Sequence, residues 1–179
     1  MQKDLIVKGM TLILQGLQVD LNDSNFKGTP ERVANAYEEL FGEKQNQWAT
    51  FPEQYTDFVM CRGHKMWTLC PHHMFPVELD VSLAYIPNGQ VLGLSKFVRI
   101  LDEINTQPLL QEKLTTEAIE KLKQILPDVR GVACFVVGRH DCMRIRGVKS
   151  TSQTVTYKLD GEFKENVELE QRFFQLARL

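Results

Sequence analysis

Three of the four histidines and two of the four cysteines of this 179-residue chain fall in two short stretches, Cys70-Pro71-His72-His73 and His140-Asp141-Cys142. Cysteine sulfur and imidazole nitrogen hold Zn²⁺ in tetrahedral geometry, and a catalytic zinc keeps three protein ligands with water in the fourth position. A Cys-x-x-His pair plus one remote Cys supplies that number, so the fold has to bring the second stretch back to the first. His72 and His140 are then left over, and an imidazole that is not a ligand beside a metal-activated water is a natural proton carrier. A second arrangement is open: Cys61-Arg62-Gly63-His64 and Cys70-Pro71-His72-His73 would together form a closed structural zinc site. The two pairs lie close in sequence for closing a tetrahedron, and that reading leaves His140 and Cys142 unexplained.

Charge narrows the partners. With 21 Lys and Arg against 23 Asp and Glu, the formal net charge of −2 gives no global signal for nucleic acid or a membrane surface, so any anion site must be local. A hydrophobic fraction of 43% with 25% charged residues suits a globular chain, and the length fits a single domain, 1–179, with N-terminal helices over residues 1–45 and a core over residues 57–179. No apolar run approaches the ~20 residues of a membrane helix, and no signal-type stretch follows Met1-Gln2-Lys3-Asp4, which predicts a cytoplasmic protein. Cysteines clustered with histidine in such a chain favour metal binding or free thiols over disulfides. Cys134, inside the apolar run Val132 to Val137, reads as a small buried hydrophobe.

The periodicities predict an α+β chain. Leu5, Ile6, Met10, Leu12, Ile13, Leu14 and Leu17 recur at helical spacing over residues 3–18. Thr29 can cap a second helix, with Pro30 at its first position and Val33, Ala36, Tyr37 and Leu40 on one face up to Gly42. Residues 43–56 read as a loop. Val77, Leu79, Val81, Leu83 and Tyr85 then alternate with Glu78, Asp80, Ser82 and Ala84, a strand with one buried face, and Pro87-Asn88-Gly89 turns the chain. Ser95 opens a helix through Ile104, and another runs from about Thr115 to Leu126. Two extended runs, Val132 to Val137 and Met143 to Leu159, precede a closing helix over 162–178. The expectation is a mostly antiparallel sheet.

In an extended second stretch, His140, Cys142, Arg144 and Arg146 project from one face while Met143 and Ile145 project from the other. One face would carry a proton carrier, a metal ligand and two guanidiniums, which suits a metal-activated water at one end and an anionic group such as phosphate at the other. Asp141 would point the opposite way and make a local hydrogen bond. Arg144, the weakest member of the row, reads either as a surface cation or as a phosphate contact.

With these residues in view, the chain resembles the GTP cyclohydrolase I family. The matching segments are Thr29-Pro30-Glu31-Arg32-Val33-Ala34, Leu69-Cys70-Pro71-His72-His73, Ala84-Tyr85-Ile86-Pro87-Asn88-Gly89, residues 93–100 (Gly-Leu-Ser-Lys-Phe-Val-Arg-Ile), Leu110-Gln111-Glu112-Lys113-Leu114-Thr115 and residues 140–148, in family order from about residue 29 onward. The resemblance implies the tunnelling fold, or T-fold: an antiparallel four-stranded sheet with helices on one face, N-terminal helices and a toroidal assembly. It also implies a homodecamer with active sites at subunit interfaces. By the same resemblance Cys70, His73 and Cys142 would hold Zn²⁺, and His72 and His140 would move protons. Gln111 and Glu112 would contact the guanine edge, while Ser95, Lys96, Arg99, Arg146 and Arg32 would line the ribose and triphosphate end. The implied reaction is hydrolysis of GTP at C8 of the imidazole ring, release of formate and rearrangement to 7,8-dihydroneopterin triphosphate, a step of pterin biosynthesis.

Taken without the resemblance, Ser95-Lys96-x-x-Arg99 is a helix start with a solvated face and Gln111-Glu112 an exposed one. The chain also departs from the family pattern. Pro71 stands where Glu is usual, removing a carboxylate and a backbone donor beside the metal. Asn35 replaces a common Lys, which trims the phosphate cluster by one charge, and Tyr157-Lys158 follow where small residues are usual. Two other readings therefore stay open: a related enzyme acting on a different purine or pterin, and a catalytically silent binding paralogue. Both non-ligand histidines are present, which argues against the silent paralogue.

Overall fold

The computed structural model describes residues 1–178, and the chain divides into two compact units, Met1–Glu43 and Lys44–Leu179. The first unit is a helix pair, α1 (Lys3–Gly16) and α2 (Thr29–Phe41). Gly28, not Thr29, occupies the capping position of α2, and Pro30 sits in the first turn, where its missing N–H leaves no helical bond unmade. Lys3 and Glu38 tie the two helices at 2.6 Å. Of the apolar residues that predict α1, Leu14 is buried, whereas Leu5, Leu12, Ile13 and Leu17 stay exposed.

The second unit is built on a four-stranded antiparallel sheet in the order β2-β3-β5-β6, from β2 (Val59–Leu69), β3 (Pro76–Ile86), β5 (Gly131–His140) and β6 (Thr154–Gly161). A small second sheet pairs β1 (Thr50–Pro52) with β4 (Gln90–Leu92), so the stretch expected as a loop over 43–56 contains a strand. Alternation decides which side chains go where. Val77, Leu79, Val81, Leu83 and Tyr85 of β3 join Val132, Cys134 and Val136 of β5 under α3 (Ser95–Ile104) and α4 (Gln111–Ile125), whose Phe97, Ile100, Leu114, Ala118, Ile119 and Leu122 complete this core. Cys134 is fully buried there, and burial alone pushes its thiol pKa up to about 12, so it packs as a small hydrophobe.

The opposite sheet face carries Ala84, Ile86, Ala133 and Phe135, covered at one end by Phe163 and Phe173. These two residues come from α6 (Glu162–Glu165) and α7 (Val167–Ala177). The expected single closing helix is therefore broken: Asn166 stops the first turn and its side-chain oxygen accepts from the N–H groups of Glu168 and Leu169, restarting the helix. Gly161, at φ +58° and packed against the Arg130 carbonyl, makes the sharp exit from β6 where any Cβ would collide.

Three other expectations change. β2 escapes the sequence reading, because its edge position leaves Arg62, Gly63, Lys65 and Trp67 exposed and a bulge between Cys61 and His64 interrupts the alternation. The helix predicted from Thr115 starts at Gln111. The extended run predicted over 143–159 begins only at Thr154, since Asp141–Arg144 forms a helical turn, α5, and Gly147 and Lys149 take left-handed backbone angles of +59° and +49°. The row of His140, Cys142, Arg144 and Arg146 on one strand face is thus not formed.

Phe163 stacks edge-on between Phe58 and Phe173 at centroid distances of 5.4 and 5.6 Å. Truncating it to Ala is expected to destabilise the chain by about 3–5 kcal/mol, read as a lower urea midpoint with an unchanged slope.

Candidate metal centre and its surrounding pocket

Strand register brings the two sequence stretches together. Val77 pairs with His140 across β3 and β5, so the turn that precedes β3 and the turn that follows β5 lie at the same end of the sheet. The first turn is tightly closed: Cys70 N–H donates to Phe75 O at 2.8 Å, and the N–H groups of His73 and Met74 donate back to Cys70 O at 3.3 and 2.8 Å. Pro71 occupies the second position of this turn, where its fixed φ suits the bend, and Met74 absorbs the reversal at φ +57°. On the other side, the helical turn of α5 lifts Cys142 off the strand, held by Ile145 N–H donating to Asp141 O at 3.1 Å.

Cys70, His73 and Cys142 offer ligand atoms that all lie within 4.8 Å of one another. Cys70 Sγ stands 3.9 Å from His73 Nδ1. Donors around a tetrahedral zinc lie roughly 3.3–3.8 Å apart at bond lengths of ~2.0–2.3 Å, so a small inward movement closes the set. Its chemistry, two thiols and one imidazole, is that of a soft-to-borderline divalent ion, and among the described residues no fourth donor joins the group, which would leave one position open. Burial first, and then the neighbouring Cys70, raises the Cys142 thiol above its ordinary pKa, with Arg146 acting against both. Ionising both thiols at this spacing would require a compensating cation. Cys61 does not join them: it pairs with Leu83 on the β2–β3 ladder and packs against the main core, so the closed four-ligand alternative is not formed.

A cavity of about 230 Å³ adjoins this triad, lined by Cys70, His72, Cys142, His140, Gln111 and Glu112 among others. His72 is exposed, with Nδ1 3.7 Å from Cys70 Sγ. His140 is half-buried; burial lowers its pKa and the Glu112 carboxylate partly restores it. Glu112 is exposed at the start of α4, whereas Gln111, expected on an exposed helix start, is only 3% exposed. Arg146 is exposed beside Cys142, and Arg144 is bound to Asp141 at 3.0 Å as a surface ion pair.

The remaining expected residues are elsewhere. Ser95, Lys96 and Arg99 lie on the first turns of α3 and do not line this cavity; Ser95 and Arg99 are exposed, while Lys96 is 9% exposed. Arg32 belongs to the N-terminal unit, where its guanidinium donates to Asn25 O and Thr29 Oγ1 at 2.9 and 2.7 Å. Sequence reasoning misses the contributions of Gly138, Thr115 and Thr156 around Gln111. The one available signal is the position of Gly138, two residues before His140 on the same strand face.

A family model described as GTP cyclohydrolase I matches residues 6–178. A GTP cyclohydrolase 1 of Clostridium perfringens is 38% identical over 183 residues, spanning 99% of this chain and 98% of that protein. One from Hydrogenobaculum sp. is 34% identical over 179 residues, with 98% of each covered. Among solved structures, the archaeosine synthase QueF-Like in its apo form superimposes with a TM-score of 0.51 over 60% of this chain and 97% of that one. At 20% identity this likeness concerns the architecture, the tunnelling fold.

Replacing Cys142 with Ser is expected to strip the metal from about one equivalent per chain to a small fraction, read by elemental analysis after dialysis. His140→Ala is expected to retain it. Metal loss in the His140 variant would assign the ligands differently.

Proposed function

This chain belongs to the GTP cyclohydrolase I family and carries GTP cyclohydrolase activity, and from that membership we propose a zinc-dependent reaction: hydrolysis of the GTP imidazole ring at C8, release of formate and rearrangement to 7,8-dihydroneopterin triphosphate. The observation that carries this reading is the meeting of Cys70, His73 and Cys142 beside two further imidazoles and a carboxylate in one cavity. Zinc held by those three side chains would supply the Lewis acidity that makes water a competent nucleophile near neutral pH.

The chain's own groups do the rest. Glu112 accepts hydrogen bonds from the ring N–H and amino group of the guanine edge, one on each oxygen of its charged carboxylate. Gln111 belongs to the same edge of the pocket. His72 and His140 exchange protons with the purine nitrogens and the departing groups as the ring opens. Ser95, Lys96, Arg99, Arg146 and Arg32 are assigned to the ribose and triphosphate, where guanidiniums pair bidentately with phosphate oxygens.

Pocket size and exposed apolar surface support assembly. Ligand pockets generally need about 300–1,000 Å³, and the cavity beside the triad offers about 230 Å³. A nucleoside triphosphate would gain further walls from a neighbouring copy. Exposed Ile145, Val148, Val155 and Tyr157 next to the edge strand β6, with an open edge at β2, support packing against further copies. A homodecamer with Ser95, Lys96 and Arg99 reaching the triad of a neighbouring copy meets both needs. Among the described residues no helix is long and apolar enough to cross a membrane.

Purified, metal-analysed protein incubated with GTP is expected to release formate and to yield a pterin that fluoresces after oxidation. Glu112→Gln is expected to raise KM for GTP by roughly 10- to 100-fold with metal retained, the cost of a lost charge-assisted hydrogen bond. Full zinc occupancy without formate would redirect the assignment to a different purine or pterin.

A further inference from the structure

Gln111 is the most thoroughly bonded polar side chain next to the cavity. Its amide Nε2 donates toward Val136 O, Thr154 O and Thr156 Oγ1 at 3.2, 3.0 and 3.2 Å, and its Oε1 lies 2.9 Å from His140 Nε2. The directions of these bonds can be assigned one after another. Thr115 Oγ1 donates to the Gln111 backbone carbonyl at 2.8 Å, which uses its only hydrogen. At the 2.7 Å contact between Thr115 and Thr156, the Thr156 hydroxyl must then be the donor. Thr156 Oγ1 is thereby left as an acceptor for the amide. Turning the amide over would set its oxygen against two backbone carbonyls, so the orientation is unique. Oε1 can only accept, and His140 Nε2 must carry the hydrogen.

We infer that Gln111 is a positioning residue for His140: the β5–β6 backbone and the Thr115–Thr156 pair clamp its amide, which in turn holds the imidazole as the Nε2–H tautomer and leaves Nδ1 as the atom that faces the reaction. The inference rests on His140 being a proton carrier, as assigned above. An Nε2–H donor exists in both charge states of the ring, so the anchor holds throughout a proton cycle. Because both amide hydrogens are committed to the sheet and the hydroxyl, the Gln111 side chain has no donor left for the guanine edge.

Gly138 belongs to the same device. A Cβ there would fall on Gln111 Oε1 and within 3.0 Å of His140 Nε2. Its φ is not in the left-handed region, so what excludes a side chain is the space occupied by the amide and the imidazole. Residues 136, 138 and 140 share one face of β5, and the glycine between valine and histidine is the gap through which Gln111 reaches the ring.

The test combines kinetics with a signal that needs no turnover. In Gln111→Leu and in Gly138→Ala, kcat for GTP is expected to fall by about 100-fold, the cost of misplacing a reacting group by an ångström, while KM changes less than about 3-fold. Zinc content and the far-ultraviolet circular dichroism are expected to stay at wild-type values. In protein with ¹⁵N-labelled histidine, His140 is expected to show the Nε2–H tautomer in the wild type and a mixture in both variants. A raised KM with unchanged kcat in Gln111→Leu would return Gln111 to substrate contact and overturn the inference. So would an Nδ1–H signal for His140 in the wild type. The tautomer is read without GTP, so failure of the proposed reaction and failure of this inference are separately visible.

Discussion

The antiparallel pairing of β3 with β5 is the constraint on which the site depends. With Val77 opposite His140, the turn carrying Cys70 and His73 and the turn carrying Cys142 meet at one end of the sheet. A one-residue slip of β5 would send Val136 to the wrong face and withdraw His140 from the pocket at the same time. Core and chemistry are therefore specified by one register: the ladder that buries Leu79, Leu83, Cys134 and Val136 under α4 is the ladder that carries the imidazole to its place.

Around that ladder, polar groups are arranged by what each can donate. Gln111 sits at the first position of α4, where its own N–H needs no helical partner, and its side chain spans to β5 and β6. The helix is pinned to the sheet through the same amide that touches His140. Packing and site geometry are coupled there through hydrogen bonds, which are directional in a way that apolar contacts are not.

Much of this is legible in the sequence, and the losses have physical causes. The alternation from Val77 to Tyr85 and the helical stripes of α3 and α4 are readable because each element buries one face. The grouping of Cys70, His73 and Cys142 is readable because those donor atoms have few other uses in one place. β2 is hidden by its exposed edge and by the bulge at Cys61/His64. The turn at Asp141–Arg144 escapes prediction because alternation of residue types continues through it, while its conformation is set by local backbone bonds and by left-handed angles at Gly147 and Lys149 that no periodicity announces. Burial of Gln111 is likewise invisible, since polar residues opening a helix are ordinarily solvated and only the three-dimensional meeting with Gly138 and Thr156 makes this one an exception.

The closed turn from Cys70 to Phe75 also governs how this region can drift over generations. Its backbone bonds fix the interval between thiol and imidazole, so a codon inserted or lost between Cys70 and His73 would break that interval. The stretch between α5 and β6 has no such double closure, with Lys149 N–H and Ser150 N–H making single bonds to Arg146 O and Met143 O. A change of length between Cys70 and His73 would therefore act on the ligand pair directly, whereas one after Ser150 leaves the spacing of the triad's own turns unchanged.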